Sequence, residues 1–565
     1  MDNLRKLRNL MKERGIDAYL VTGGDPHGSE YVHPRFRTRE FISGFTGSAG
    51  VVVVTEAEAV LWTDGRYFIQ AERELFEGFV LYKEGLPETT ALFEFLGKFA
   101  AVGANGDEIT LALWEKLKRL GCEVTDVDFI GELWENRPEI LPTVTYPHEL
   151  KYAGLGTRDK LTLVRERMNK AFADSYLVTD LTDVAWLYNL RGDAIPNVPV
   201  FFAYAYITGE DSELYVRIDG EYLLANDEKT NITETLKQAR GTVFVDKEHT
   251  TAKLFSNIKA RVVTEQADII TSLKAIKNPI ETENIKNCHI VDGAAVFRLI
   301  KYVKENPSTL HENEIGVIID AYRKQLSPVY FGEAFKTIAA YMGNAAQMHY
   351  NPDAENSALI ENNGFLLVDT GGQYLNGTTD ITRTIALGEV SREMKRDFTL
   401  VLKSHIALAS AKWLHGATGG ALDMLPRKVM WDEGLDYKSG TGHGLGYFLS
   451  VHEPPQRIKY DNNVVIESGM LTSNEPGIYR ENKWGVRTEN ILLSKDDYTN
   501  ENGRFMKFET ISLAPIDLSA LLPEMLTDGE KTWLNEYHKN VYEKLSPYLT
   551  EDERKTLEIY TGGIV

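Results

Sequence analysis

The sequence predicts a mixed α/β (α+β) chain of three domains, on three observations. At about 100–200 residues per domain, 565 residues is a multidomain length. Short apolar runs alternate with helix-period segments through the N-terminal part, the pattern of strands interleaved with helices. Pro138, Pro142, Pro147, Gly154 and Gly156 crowd one segment, and at that density they interrupt both helix and ladder. The expected domains are 1–150, 151–273 and 274–565.

In chain order, Leu4, Leu7, Leu10 and Met11 recur at helical spacing among charged residues, and Gly15 ends that helix. Strand-like runs follow at Ala18–Thr22, Gly50–Thr55 and Ala59–Thr63. Beyond the break, a helix-like stretch near Leu161–Phe172 leads into Ser175-Tyr176-Leu177-Val178-Thr179, an echo of Ala18-Tyr19-Leu20-Val21-Thr22. Phe41–Gly47 is likewise echoed by Trp186–Gly192. A weak repeat with loop insertions predicts two related α/β domains. Lys277-Asn278-Pro279 then closes a unit. A long helix over Glu281–Lys304 is expected next, with Ile285, Ile290, Val291, Leu299, Ile300 and Val303 on its apolar face and polar residues opposite.

Composition narrows the function. Acidic side chains outnumber basic ones by 83 to 62, a net charge of −21, whereas nucleic acid and anionic membranes require concentrated Lys and Arg. Neither is an expected partner. Two cysteines, Cys122 and Cys288, make no disulfide framework and no multi-thiolate zinc site. No secretory signal pattern or apolar span is read, so a cytoplasmic protein is expected.

The chemistry concentrates in the third domain. Phe365-Leu366-Leu367-Val368-Asp369-Thr370-Gly371-Gly372 reads as a buried strand entering a turn, and Asp380 lies 11 residues on, expected within the returning strand. Antiparallel strands can set two such carboxylates side by side, at a cost unless a cation or proton compensates. In Thr441-Gly442-His443-Gly444-Leu445-Gly446 the glycines fit neither a dinucleotide fingerprint, since Tyr447 stands where the third glycine would be, nor a phosphate loop. They let the backbone crowd around His443. Glu475 precedes a Pro-Gly turn and Glu489 follows 14 residues later, mirroring the aspartates; period-2 alternation predicts Arg487 and Glu489 on one strand face.

Asp369, Asp380, His443, Glu475 and Glu489 supply four carboxylates and one imidazole. Two divalent cations balance four negative charges. An oxygen-rich set without thiolate favours Mn²⁺, with Co²⁺ or catalytic Zn²⁺ compatible. Such a pair of metals serves metal-assisted hydrolysis. His349 and His452 could donate to an oxyanion or carry a proton to a leaving amine.

That residue order resembles the dimetal site of the pita-bread-fold metallopeptidases. The segments VDTGGQYLNGTTDITRT, GTGHGLG, SVHE, SNEPGIY and VRTEN are most similar to the long, three-domain aminopeptidase P branch. GSEYV, SGFTGSAG and WTDGRYF in the first domain, DVAWLYNLRG in the second, and the tail with Trp533, Tyr537 and His538 extend the likeness over nearly the whole chain.

The resemblance implies two creatinase-like N-terminal domains before a pita-bread catalytic domain with a C-terminal extension, in a homodimer. It implies removal of the first residue from peptides with proline second, through a hydroxide bridging two metals. His349 matches a residue that moves a proton toward the prolyl nitrogen, His452 one that contacts substrate near the scissile bond, and Arg487 one that braces the metal-site acids. Two positions depart from the family pattern: Ser439 replaces a histidine of the prolyl pocket, and Pro454 replaces a glycine. The alternatives are a prolidase, disfavoured by the two preceding domains, and a non-catalytic binding protein on the same fold.

Overall fold

The computed structural model describes residues 2–264 and 268–565. The chain forms two compact units, Met1–His148 with Leu155–Leu273, and Glu149–Gly154 with Lys274–Val565.

The first unit holds two sheets built alike. Its opening helix, Asp2–Arg14, buries Leu4, Leu7 and Met11 and ends at Gly15, whose φ of +67° is left-handed. The strand Ala18–Val21 then pairs antiparallel with Val51–Thr55 on one side and parallel with Ala101–Ala104 on the other, inside a six-stranded sheet. Ser175–Val178 does the same between Ala203–Thr208 and Thr242–Val245, inside a seven-stranded sheet. The repeat expected from two short echoes is thus a repeat of topology, and loop insertions explain why it is faint in sequence.

The second unit opens with a 27-residue helix, Pro279–Glu305 (α1). Its start lies two residues before the expected one, because Asn278 is the cap: its side chain accepts from the N–H groups of Ile280 and Glu281, and Glu281 reaches back to the Asn278 N–H. Nor is the apolar stripe itself free of polar groups. His289 and Asp292 are buried. Asp292 pairs with Arg323 of helix Glu312–Leu326 (α2) at 2.7 Å and accepts from Tyr374 at 2.8 Å.

Two antiparallel systems follow. Ile338–Tyr341 (β1), Asn363–Thr370 (β2) and Ile381–Gly388 (β3) form one sheet with β2 central. Helix Arg392–Ala409 (α3) leads on toward Leu471–Asn474 (β4), which pairs with Asn490–Asn500 (β7). Between β4 and β7 lies a separate hairpin, Gly477–Arg480 (β5) and Trp484–Arg487 (β6). Strand Gly503–Thr510 (β8) pairs with β7, and helix Asp528–Leu545 (α4) follows. Phe297, Phe365, Phe398, Val486, Leu534 and Val541 share one buried cluster, so α1, α3 and α4 pack against the strands that carry the acids. Among the described residues no helix is long and apolar enough to cross a membrane, and both cysteines are free.

Candidate metal centre

All four acids stand at strand ends. Asp369 is the penultimate residue of β2 and faces Thr382 of β3. Asp380 is not within the returning strand as expected but immediately before it, since β3 begins at Ile381. The intervening residues fold into short strands of another sheet, and a Cβ on Gly371 would lie 2.2 Å from the Thr379 carbonyl oxygen. Only glycine allows that approach, which lays the segment before Asp380 against the one after Asp369.

The glutamates repeat this construction. Glu475 follows β4 and Glu489 precedes β7, flanking the directly paired Asn474 and Asn490. Arg487 ends β6, so it and Glu489 do not share one continuous strand face. They meet instead through Thr382: Arg487 Nε donates to its Oγ1 at 3.1 Å, and that hydroxyl donates to Glu489 Oε2 at 2.6 Å. Arg487 Nη2 donates to Asp369 Oδ2 at 2.6 Å and Nη1 to the Tyr479 hydroxyl at 2.7 Å.

The glycines around His443 do what crowding requires. A Cβ on Gly442 would sit 1.9 Å from the Ser473 carbonyl oxygen, and one on Gly444 2.1 Å from that of Glu453. The loop is therefore pressed onto β4, with the His443 N–H donating to Ser473 Oγ at 2.9 Å. His443 Nδ1 lies 2.9 Å from the Gly444 carbonyl, which accepts its proton and turns Nε2 toward the acids. Nε2 is 3.4 Å from both Asp380 Oδ2 and Glu475 Oε1. One ligand atom each from Asp380, His443 and Glu489 falls within a 4.8 Å set.

Positive charge is what this cluster lacks. Asp369, Asp380 and Glu489 are buried and Glu475 is half-buried, with one imidazole and the Arg487 guanidinium to oppose them. Burial, with a contribution from Asp369, pushes the Asp380 carboxyl up to about 6 despite His443. Burial and the neighbouring acids raise Glu489 well above the carboxylate range. Burial opposes a charged His443, yet Asp380 and Glu475 carry it up to about 9. Asp369 Oδ1 is buried with no hydrogen-bond partner. Repelling carboxylates, one deprotonatable imidazole and an unpartnered carboxylate oxygen are a donor set that fits hard divalent cations.

Of the other expected residues, His452 stands against His443, ring centroids 4.3 Å apart and nearly perpendicular. His349 is half-buried, three residues beyond the 3-10 turn Met342–Ala346 that packs on β6. Ser439 is half-buried, its carbonyl accepting from Arg427, and Pro454 is exposed beyond a Glu453 that pairs with buried Lys277 at 2.5 Å.

Sequence reasoning missed Thr382 and Tyr479, through which Arg487 spans the site. It also missed Arg323, which is fully buried and donates to Thr370 Oγ1 and the Gly371 carbonyl beside Asp369. The available signal was polar residues inside apolar runs: Asp292 on α1 and Thr382 on β3.

Comparison with known proteins agrees with this architecture. The family description "Metallopeptidase family M24" matches residues 283–496, and "C-terminal region of peptidase_M24" matches 504–562. Two "Creatinase/Prolidase N-terminal domain" descriptions match 3–138 and 136–281. A Laccaria bicolor protein named probable Xaa-Pro aminopeptidase P is 36% identical over 98% of this chain and 91% of its own length. The Caenorhabditis elegans X-prolyl aminopeptidase structure, described as a cytosolic enzyme with a di-nuclear active site, matches with a TM-score of 0.92 and 30% identity over 100% of this chain and 99% of its own. A Pyrococcus horikoshii prolidase (24% identity, TM-score 0.51, 64% of this chain and 99% of its own) shares the fold alone. With two creatinase-type N-terminal domains ahead of a pita-bread domain, the chain belongs to metallopeptidase family M24.

Proposed function

We propose that this chain is an Xaa-Pro aminopeptidase. It would hydrolyse the bond between the first residue and a proline at position two: water supplies the oxygen of the new carboxylate, the C–N bond breaks, and the prolyl nitrogen takes a proton. The observation that carries the reading is the convergence of Asp380, His443 and Glu489, with Glu475 and the Arg487-bound Asp369 beside them. Near end-to-end likeness to proteins named for that activity supports it.

Asp369, Asp380, His443, Glu475 and Glu489 would hold two divalent cations, Mn²⁺ first by donor chemistry. When bound, these supply Lewis acidity toward a peptide carbonyl and acidify water. The chain's own part is to aim its ligands. Arg487 fixes one oxygen of Asp369 and, through Thr382, one of Glu489. The Gly444 carbonyl fixes the His443 tautomer. His452 would bind near the scissile bond and His349 would carry the proton to the prolyl nitrogen. Ser439 and Pro454 would reshape the proline subsite.

A panel varying position two, run with EDTA and Mn²⁺ arms, tests the reading. An Xaa-Pro-Yaa tripeptide is expected to be cut and its Xaa-Ala-Yaa counterpart spared. Cleavage of an Xaa-Pro dipeptide alone would make the chain a prolidase, and absence of both metal and hydrolysis would make it a binding protein. For His349→Ala, turnover should fall about 10²–10⁴-fold, the usual worth of general acid–base catalysis, with metal content unchanged. Wild-type turnover in that variant would refute the assignment. A cytoplasmic homodimer completes the proposal. Sedimentation velocity distinguishes a dimer from a 63.7 kDa monomer.

A further inference from the structure

Behind the metal-site glutamates lies a buried polar hub outside the proposed ligand set. Asn474 and Asn490, directly paired between β4 and β7, adjoin Glu475 and Glu489 in sequence. His405 of α3 ties them together. Its Nδ1 lies 3.1 Å from the Asn474 carbonyl, its Nε2 lies 3.1 Å from Asn490 Nδ2, and its own carbonyl accepts from Asn474 Nδ2 at 2.9 Å. This pattern requires a neutral ring donating through Nδ1, and burial together with Arg383 holds the imidazole down at about 3.

Arg383 of β3 is the centre of the hub. Nη1 donates to the Glu489 carbonyl at 2.7 Å and to that of Thr382 at 2.8 Å. Nη2 donates to Asn490 Oδ1 at 2.8 Å, the Ala514 carbonyl at 2.9 Å and the Tyr537 hydroxyl at 2.7 Å, and Nε reaches the Pro515 carbonyl at 3.1 Å. Among the described residues no carboxylate lies within ion-pair distance of this buried guanidinium, so neutral dipoles alone hold it. Several sit on or next to α4. The Tyr537 hydroxyl also accepts from the Ala514 N–H at 3.2 Å, and His538 Nε2 accepts from the Ile516 N–H at 3.1 Å. Trp533 stacks on Tyr537, centroids 5.4 Å apart, and meets His405 edge-on at 5.9 Å.

We propose that helix α4 positions the metal ligands, with Tyr537 seating Arg383 and Arg383 in turn fixing the main chain at Glu489. This assigns a role to the Trp533–His538 motif, and it rests on the metal-centre reading above. A buried guanidinium keeps its geometry only while its acceptors stay in place, and outer groups that orient ligands typically change metal affinity 10–100-fold when removed.

The test is calorimetric titration of the chelated full-length protein with Mn²⁺. Tyr537→Phe keeps the ring stack and removes one oxygen, and it should weaken Mn²⁺ binding about 10-fold or more. Arg383→Lys, which keeps charge but loses the fork, should do the same and serves if the first variant folds poorly. Leu534→Ala, at a fully buried apolar position on the same helix, should lower the melting temperature yet keep wild-type affinity. Equal affinity in Tyr537→Phe and wild type overturns the proposal alone, as does an equal loss in Leu534→Ala. A wild-type protein that takes up no Mn²⁺ overturns the metal centre as well.

Discussion

Arg487→Ala is expected to lower kcat/KM on an Xaa-Pro-Yaa tripeptide by about 10²-fold or more, although Arg487 is not among the proposed metal ligands. Two effects of opposite sign meet at this position. Deleting a cation among four carboxylates strengthens their Coulombic pull on a divalent ion. Deleting the guanidinium also releases Asp369 Oδ2 and the Thr382 hydroxyl that holds Glu489, and leaves the Tyr479 hydroxyl without its donor. Positioning should win, because the proposed two-ion centre would need its ions at a fixed separation and not merely a higher local cation concentration. Arg487→Lys separates the two effects: an ammonium keeps the charge but cannot span three acceptors. Lysine should therefore remain at least about 10-fold below wild type, and near-complete rescue by it would show that charge alone mattered. In urea, the chelated alanine variant should also lose about 3–5 kcal/mol, the cost of breaking a buried ion pair from one side. A loss within about 0.5 kcal/mol would mean that water replaces the guanidinium freely.

Three of the acids were legible in sequence from apolar strand residues beside them, Val368 before Asp369, Ile381 after Asp380 and Ile491 beyond Glu489, and Glu475 was legible from the Pro-Gly turn that it precedes. Their convergence was legible from charge, since four carboxylates in such surroundings need compensation. What sequence misjudged was where each strand stops. Strand periodicity reports which way side chains alternate, yet it is silent on a break of one or two residues between two hairpins. Asp380, Glu475, Thr488 and Glu489 all occupy such breaks, where the chain leaves one ladder for the next. Thr382, Arg383 and Asn490 were missed for a related reason. Their side-chain partners are 47 to 154 residues away in sequence and their other partners are carbonyl groups, and no local pattern encodes a carbonyl. The doubled sheets of the first unit show the converse: topology, set by a few backbone pairings, persists after most of the side-chain likeness has gone.

Chelation should lower the melting temperature, and the gap between loaded and chelated protein should widen as pH rises from about 5 to 9. In the metal-free protein Asp380 is raised from an ordinary 3.8 to about 6, and Glu489 is raised in the same direction. The folded state therefore holds protons that the unfolded chain releases, and between those values stability falls as pH rises. His443, raised from 6.5 to about 9, has the same sign: its contribution is complete below 6.5 and is lost as pH climbs through 9. From this site, then, the chelated protein weakens continuously from mildly acidic to alkaline conditions. The loaded protein moves oppositely, because each ligand must shed its proton to bind, so affinity rises with pH and adds stability as RT ln(1 + [L]/Kd). At 100 times Kd that is about 2.7 kcal/mol. Groups elsewhere titrate alike in both forms and cancel in the difference, which makes the gap a reading of this site alone. Asp380→Asn supplies the control: with one ligand neutral at every pH, the gap should shrink and lose most of its slope. A wild-type gap that stays level or narrows with pH would mean that the acids are satisfied without cations. The cluster would then be held together by protons and Arg487, a binding site on this fold rather than a hydrolytic one.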